Sequence, residues 1–275
     1  MNHNDCTFSL PPEGYSPIFI GGLYRSGTTL MRRLLNSHPH IACGPDSRLF
    51  QRDNRLEGIY TDLRTIWPPG LDLRYAFAPH TVDHMMAGLI HAVMMPYCQQ
   101  QGKPRWAHKT PETILFIDTL FALFPAAQFI HMIRDPRDAF CSVREKYCSV
   151  QEKATKYKPG WATITPELTA GEWCRRINCG LAWRERPERY REVRYEELVS
   201  QPEATLRSLF TFLGEPWASS VLENKPIFST SVGRWRSELS AAEVAEIEGV
   251  AGETMRTLGY PLSTTSLSSP MPTQA

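Results

Sequence analysis

Arg25, Ser26, Gly27, Thr28 and Thr29 are the residues whose types and spacing speak most directly of chemistry. They lie in Gly22-Leu23-Tyr24-Arg25-Ser26-Gly27-Thr28-Thr29: a glycine, four residues, a second glycine, one residue and a hydroxyl. That is the outline of a loop that cradles a phosphate with backbone N–H groups. The lysine that would reach the β and γ phosphates of a nucleoside triphosphate is missing, and Thr28 stands in its place. Arg25 is the loop's own cation. The stretch therefore suits a phosphate-like anion without a Mg²⁺-bridged triphosphate tail. A bare pair of glycines in a strand-to-helix turn would be weak support. The flanks strengthen it: Pro17-Ile18-Phe19-Ile20-Gly21 reads as a buried strand, and Leu30, Met31, Leu34 and Leu35 recur at helical spacing. A helix N-terminus that follows a strand offers free N–H groups and a favourable dipole to an anion.

Arg134-Asp135-Pro136-Arg137-Asp138 forms a second constellation, at the carboxyl end of the strand Gln128 to Ile133. Ligands of open α/β sheets sit at that edge. Arg134 offers a planar fork for a phosphate. Ser142 and Lys146 lie four residues apart on the helix that follows, so they share a face. By itself the cluster reads equally well as a surface salt-bridge group. Two further groups would share the pocket. Asp46, in Gly44-Pro45-Asp46-Ser47-Arg48, could act as a base. Lys109, in His108-Lys109-Thr110-Pro111, ends another strand. Taken alone, each is an ordinary turn aspartate or strand-end lysine.

These groups need a scaffold. Strand and helix signals alternate along the chain, which predicts an α/β fold: a P-loop-type three-layer α/β/α arrangement with a central, mainly parallel sheet and helical insertions. Residues 1–16 read as a flexible N-terminal arm, 17–262 as one domain and 263–275 as a disordered tail. Two helical patches are expected over 57–100, the second from Val82 to Met95. A strand is expected at 106–109 and an amphipathic helix from Glu112 to Phe124. A helix should run from Pro136 to about Lys146, followed by a loop or lid from Tyr147 to Pro166. Helices are expected over 167–186, 203–213 and 240–258, the last opened by a Ser240–Glu243 capping box. A short strand is expected at Val193-Arg194-Tyr195, and a glycine-containing loop from Ser229 to Arg236.

Composition sets bounds. The 275 residues are 42% hydrophobic and 21% charged, ordinary values for a globular protein. A net charge of +1 argues against a general nucleic-acid binder. The seven cysteines are scattered and contain no C-x-x-C pair, so reduced thiols are the default. No signal peptide and no membrane-length apolar run is evident, and a cytoplasmic location is expected.

Together the segments resemble the sulfotransferases that use 3′-phosphoadenosine 5′-phosphosulfate, in particular the protein-tyrosine sulfotransferases and their bacterial relatives. The resemblance rests on Ile18 to Gly22, Arg25 to Arg32, His38-Pro39, Cys43-Gly44, Phe129 to Arg137, Tyr195-Glu196-Glu197-Leu198, Pro202 and Phe212-Leu213-Gly214. It implies a sulfuryl transfer from that nucleotide, as co-substrate and without a metal, to an acceptor hydroxyl or amine. Arg25 to Thr29 would hold the 5′-phosphosulfate. Arg134 and Ser142 would hold the 3′-phosphate, supported by Lys146. Tyr195 would lie near the adenosine, and Ser231, Gly233 and Arg234 would belong to a loop closing over the cofactor. Asp46 falls at the position of the family's catalytic glutamate, one methylene shorter. Arg48 matches an arginine on the substrate side, and Lys109 a lysine that steadies the transition state. His108 and His131 are rival bases; His131, inside a strand, reads as a core residue. The acceptor is left as a small molecule, glycan, lipid or peptide, and a homodimer is left open. Competing readings are a P-loop kinase or NTPase and a non-catalytic nucleotide-binding protein of the same fold.

Overall fold

The computed structural model of the chain describes residues 10–46, 79–151, 164–223, 227 and 230–263. Its centre is a five-stranded sheet: β1 (Ile18–Gly22), β2 (Ile41–Cys43), β3 (Arg105–Lys109), β4 (Gln128–Ile133) and β5 (Tyr190–Arg194). The spatial order is β2-β3-β1-β4-β5, and every pairing is parallel. The helices are α1 (Thr28–Asn36), α2 (Pro79–Gln101), α3 (Ile117–Leu123), α4 (Pro136–Gln151), α5 (Pro166–Leu181), α6 (Tyr195–Ser200), α7 (Pro202–Leu213), α8 (Trp235–Glu238) and α9 (Ala241–Thr257). A 3₁₀ turn, Pro111–Phe116, precedes α3.

Side chains alternate across a strand, so β1 feeds two cores. Phe19 joins Trp106 and Phe129 under α2 and α3. Ile18 and Ile20 join Ile130, Met132 and Val193 under α1 and α7. All five residues of β1 are buried, as expected for a parallel strand covered on both faces. This is the expected three-layer α/β/α fold. A third apolar cluster, built on Leu23, Ile133, Phe140, Trp173 and Ile247, packs α4, α5 and α9 beside the sheet.

The register decides where the site lies. Ile20 is level with Lys109, and Gly22 with Met132. The segments that leave β3, β1 and β4 therefore emerge together at one edge. From β1 the chain turns towards β2, and from its neighbour β4 towards β5. Between those two strands lies the topological switch point, where open α/β sheets hold ligands.

Several expectations shift in detail. The second patch over 57–100 is a longer helix, Pro79–Gln101, while its first patch falls outside the described residues. Residues 112–124 divide into the 3₁₀ turn and α3. The helix from Pro136 runs on to Gln151, into the segment read as a loop, and 152–163 fall outside the described residues. Tyr15 and Ser16, assigned by composition to the arm, are fastened: the Trp106 N–H donates to the Tyr15 hydroxyl at 3.0 Å, and Arg105 Nη2 to Ser16 Oγ at 2.9 Å. Ser240 and Glu243 do form the capping box of α9.

Candidate active site

The glycine-framed loop joins β1 to α1 through an unusual backbone. Gly22 and Gly27 have φ of 142° and 90°, and Arg25 between them has φ 69°. A Cβ on Gly22 would lie 2.3 Å from the Met132 carbonyl oxygen, and one on Gly27 would lie 2.5 Å from Tyr195 Cδ2. The glycines are thus required by both conformation and space. No side chain caps the N-terminus of α1, so its first N–H groups are not claimed by a capping residue. Arg176, buried on α5, donates to the Gly22 carbonyl at 3.0 Å and fixes the strand-to-loop joint.

The second constellation meets this loop directly. Arg134 Nη1 donates to the Arg25 carbonyl at 2.8 Å, and Arg25 Nε donates to Ser142 Oγ at 2.9 Å. Arg134 is buried, with its guanidinium 4.6 Å from the centroid of the Tyr195 ring. Its Nη2 donates to the Ser231 carbonyl. Arg25 stands exposed at the loop's tip, yet partial burial of its guanidinium and the nearby Arg134 charge hold its pKa below the usual value. The cluster Arg134 to Asp138 is buried, unlike the surface salt-bridge group it could have been.

The third group of side chains closes the site from β2 and β3. Lys109 Nζ lies 3.0 Å from Asp46 Oδ2, and Thr110 Oγ1 donates to Asp46 Oδ1 at 2.5 Å. His108 Nε2 is 3.4 Å from the same Thr110 hydroxyl. Lys109 is almost fully buried while the Asp46 side chain is 30% exposed, so the carboxylate is the more open member of the pair. Burial pushes His108 down to about 4 and His131 down to about 3. Both are neutral, sequestered imidazoles at neutral pH.

The remaining expected residues are placed as follows. Ser26 and Thr28 are buried within the loop and Thr29 is exposed. Lys146 is exposed one turn beyond Ser142 on α4. Gly233, with φ 74°, lies in the loop that carries Ser231. The Arg234 guanidinium is turned into carboxylates, 2.9 Å from Glu145 and 2.7 Å from Glu238, and these raise its pKa. Arg48 lies outside the described residues. Thr110, directly after Lys109, joins the cluster without a sequence motif of its own, as does Asp138, whose partners lie far along the chain.

The chemistry of this donor set suits an anionic nucleotide. Among the described residues, Ser26 Oγ and Arg134 Nε are buried without a hydrogen-bond partner, and they belong to the glycine-framed loop and to the second constellation. The residue types of a metal site occur together elsewhere, in His38, His40 and Glu215. There the His38 ring is engaged at both nitrogens: Nδ1 accepts from the His40 N–H at 3.2 Å, and Nε2 faces the Pro216 carbonyl at 2.9 Å. Arg105 also pairs with Glu215 at 3.1 Å, so the trio reads as a hydrogen-bonded anchor.

A family model described as "Sulfotransferase family" matches residues 17–219. The protein-tyrosine sulfotransferase of Drosophila melanogaster is 30% identical over 244 residues, covering 86% of this chain and 46% of that protein. The chain thus spans about half the length of that relative. Among solved structures, the sulfotransferase domain from the curacin biosynthetic pathway superposes with a TM-score of 0.58 at 18% identity, covering 90% of this chain and 99% of that one. Mouse sulfotransferase SULT7A1, solved in complex with PAP, gives 0.51 at 13% identity, covering 88% and 85%. The expectation of a cytoplasmic protein is overturned: the matched animal protein-tyrosine sulfotransferases are Golgi membrane enzymes. No helix among the described residues is long and apolar enough to cross a membrane.

Proposed function

The chain belongs to the sulfotransferase family, and from that premise we propose that it moves a sulfuryl group from 3′-phosphoadenosine 5′-phosphosulfate to an acceptor hydroxyl or amine. The observation that carries this reading is the contact of the glycine-framed loop with the second anion site. Arg25 gives its carbonyl to Arg134 and its Nε–H to Ser142, at 2.8 and 2.9 Å. One adenosine bisphosphate would lay its 5′ end on the loop and its 3′-phosphate against Arg134 and Ser142. The unpartnered Ser26 Oγ and Arg134 Nε are the groups such a ligand would satisfy.

The donor supplies an activated sulfuryl group, and the bridging oxygen to the departing adenosine bisphosphate gains charge as that bond breaks. In this reading loop N–H groups, Arg25 and Lys109 stabilise this charge. Asp46 accepts the acceptor's proton as the new oxygen–sulfur bond forms, and Thr110 and Lys109 orient its carboxylate for that step. These cations provide the charge for which triphosphate enzymes use Mg²⁺, and the reading includes no metal. The acceptor class, a small molecule, glycan, lipid or peptide, belongs to the proposal only at that breadth.

Two assays test it. In thermal shift, adenosine 3′,5′-bisphosphate should raise the melting midpoint and ATP with Mg²⁺ should not, because only a ligand of the native state stabilises it. With sulfate-labelled donor and a panel of phenols, sugars, peptides and lipid alcohols, label should move to at least one acceptor and survive a chelator. Stabilisation by ATP–Mg²⁺ alone would replace this reading with a nucleoside-triphosphate enzyme.

A further inference from the structure

Of the buried acids outside the proposed chemistry, Asp138 is the most enclosed among the described residues. Asp138, in the first turn of α4, is 1% exposed and takes no part in the proposed transfer. Instead, both oxygens are claimed by backbone N–H groups just before and at the start of α8. Gly233 N–H donates to Oδ2 at 2.7 Å, and Trp235 N–H donates to Oδ1 at 3.0 Å. Such a two-pronged, charge-assisted grip on main-chain N–H groups is strong and geometrically specific. The neighbouring Arg137 guanidinium stacks 3.8 Å from the centroid of the Trp235 ring and adds a second hold on Trp235. Two residues before Gly233, the Ser231 carbonyl accepts from Arg134 Nη2.

These contacts close a ring. Arg25 reaches Ser142 on α4, and α4 carries Asp138 four residues earlier. Asp138 holds the 231–235 segment, that segment holds Arg134, and Arg134 returns to the Arg25 carbonyl. We propose that Asp138 is a positioning residue: by fixing the 231–235 segment it orients the Arg134 fork, and so sets the site's preference for a nucleotide that carries a 3′-phosphate. This rests on the reading of Arg134 and Ser142 as the 3′-phosphate pair.

The test compares two ligands on wild-type protein, Asp138→Asn and Gly233→Ala. The first variant keeps the shape but sets an amide NH₂ against one backbone N–H. The second leaves the core intact and strains the same loop from its own side, since φ is 74° and the new Cβ would meet Arg236 Nη1 at 2.6 Å. Calorimetric titration measures adenosine 3′,5′-bisphosphate and adenosine 5′-phosphate, which differ only in the 3′-phosphate. Both variants should bind the bisphosphate roughly tenfold more weakly, the scale of one lost charge-assisted hydrogen bond. The monophosphate should lose clearly less affinity than the bisphosphate in both variants, because its 5′ end rests on the β1–α1 loop, which neither residue contacts directly. An equal loss for both ligands, or no loss for either, overturns the positioning role. If wild-type protein itself shows no preference for the bisphosphate, the assignment of the 3′-phosphate pair fails first and takes this inference with it.

Discussion

At the scale of single residues, the proposed transfer depends on which group removes the acceptor's proton. His108 and Asp46 are joined through the Thr110 hydroxyl, so distance alone does not separate them. Exposure and protonation do. His108 is 2% exposed and burial holds it down to about 4, so it is neutral yet has no open path to an acceptor. Asp46 shares the network from its outer end. Asp46→Ala should therefore remove most turnover at saturating donor, while His108→Gln should leave most of it; the reverse order in kcat would move the base to the histidine. Lys109, paired with Asp46 at 3.0 Å, is the side chain proposed to meet the developing charge. Lys109→Ala should lower kcat by roughly 10²–10³ if it acts like a lost oxyanion donor. Unchanged turnover in that variant would remove Lys109 from the transition state.

At the scale of elements, the β1–α1 joint is the most constrained segment of the site. Gly22 faces a backbone carbonyl of β4, which cannot move without opening the sheet; Gly27 faces the edge of the Tyr195 ring, which can turn. An alanine at either position carries the backbone penalty of roughly 1–3 kcal/mol for an unfavourable φ. Gly22→Ala should cost more than Gly27→Ala in urea unfolding, and equal costs would show that the β4 contact does not decide the joint's geometry. The joint was legible in sequence because its demands are local: a strand, two glycines at fixed spacing, a helix. Gln128–Ile133 and the capped helix from Ser240 were legible for the same reason. β2, at three residues, is too short to show a period, and the break of 112–124 into two helical types follows from packing against β1. Within the site, Arg134 and Ser142 could be read from one helix start. The grip of Asp138 on Gly233 and Trp235 spans 95 and 97 residues and leaves no local pattern.

At the scale of the whole molecule, the fold keeps two histidines uncharged inside the sheet that carries the site. His131 is fully buried on β4, and its Nδ1 is 2.5 Å from the Tyr190 hydroxyl; His108 is its counterpart on β3. Burial is the main cause of both low values, with Arg176 and Arg184 adding to it at His131 and Lys109 at His108, where Asp46 opposes. In the unfolded chain both imidazoles return to about 6.5. Between that value and about 4, the unfolded state binds protons that the native state refuses, so stability rises with pH and is lost on acidification. Each histidine contributes a slope of up to roughly 1.4 kcal/mol per pH unit in that window. Glu172, whose carboxyl is held low by Arg175 and Arg176, loses its share in the same direction at lower pH. Asp138 and Glu196, pushed up by burial, act the other way as they take up protons. Urea unfolding at pH 7, 6 and 5 should show stability falling with acid. His131→Gln should remove about one proton from that dependence while its m-value stays near wild type. A variant as acid-sensitive as the parent would mean that His131 is protonated in the native protein, and the sheet could no longer be described as a neutral barrier behind a cationic site.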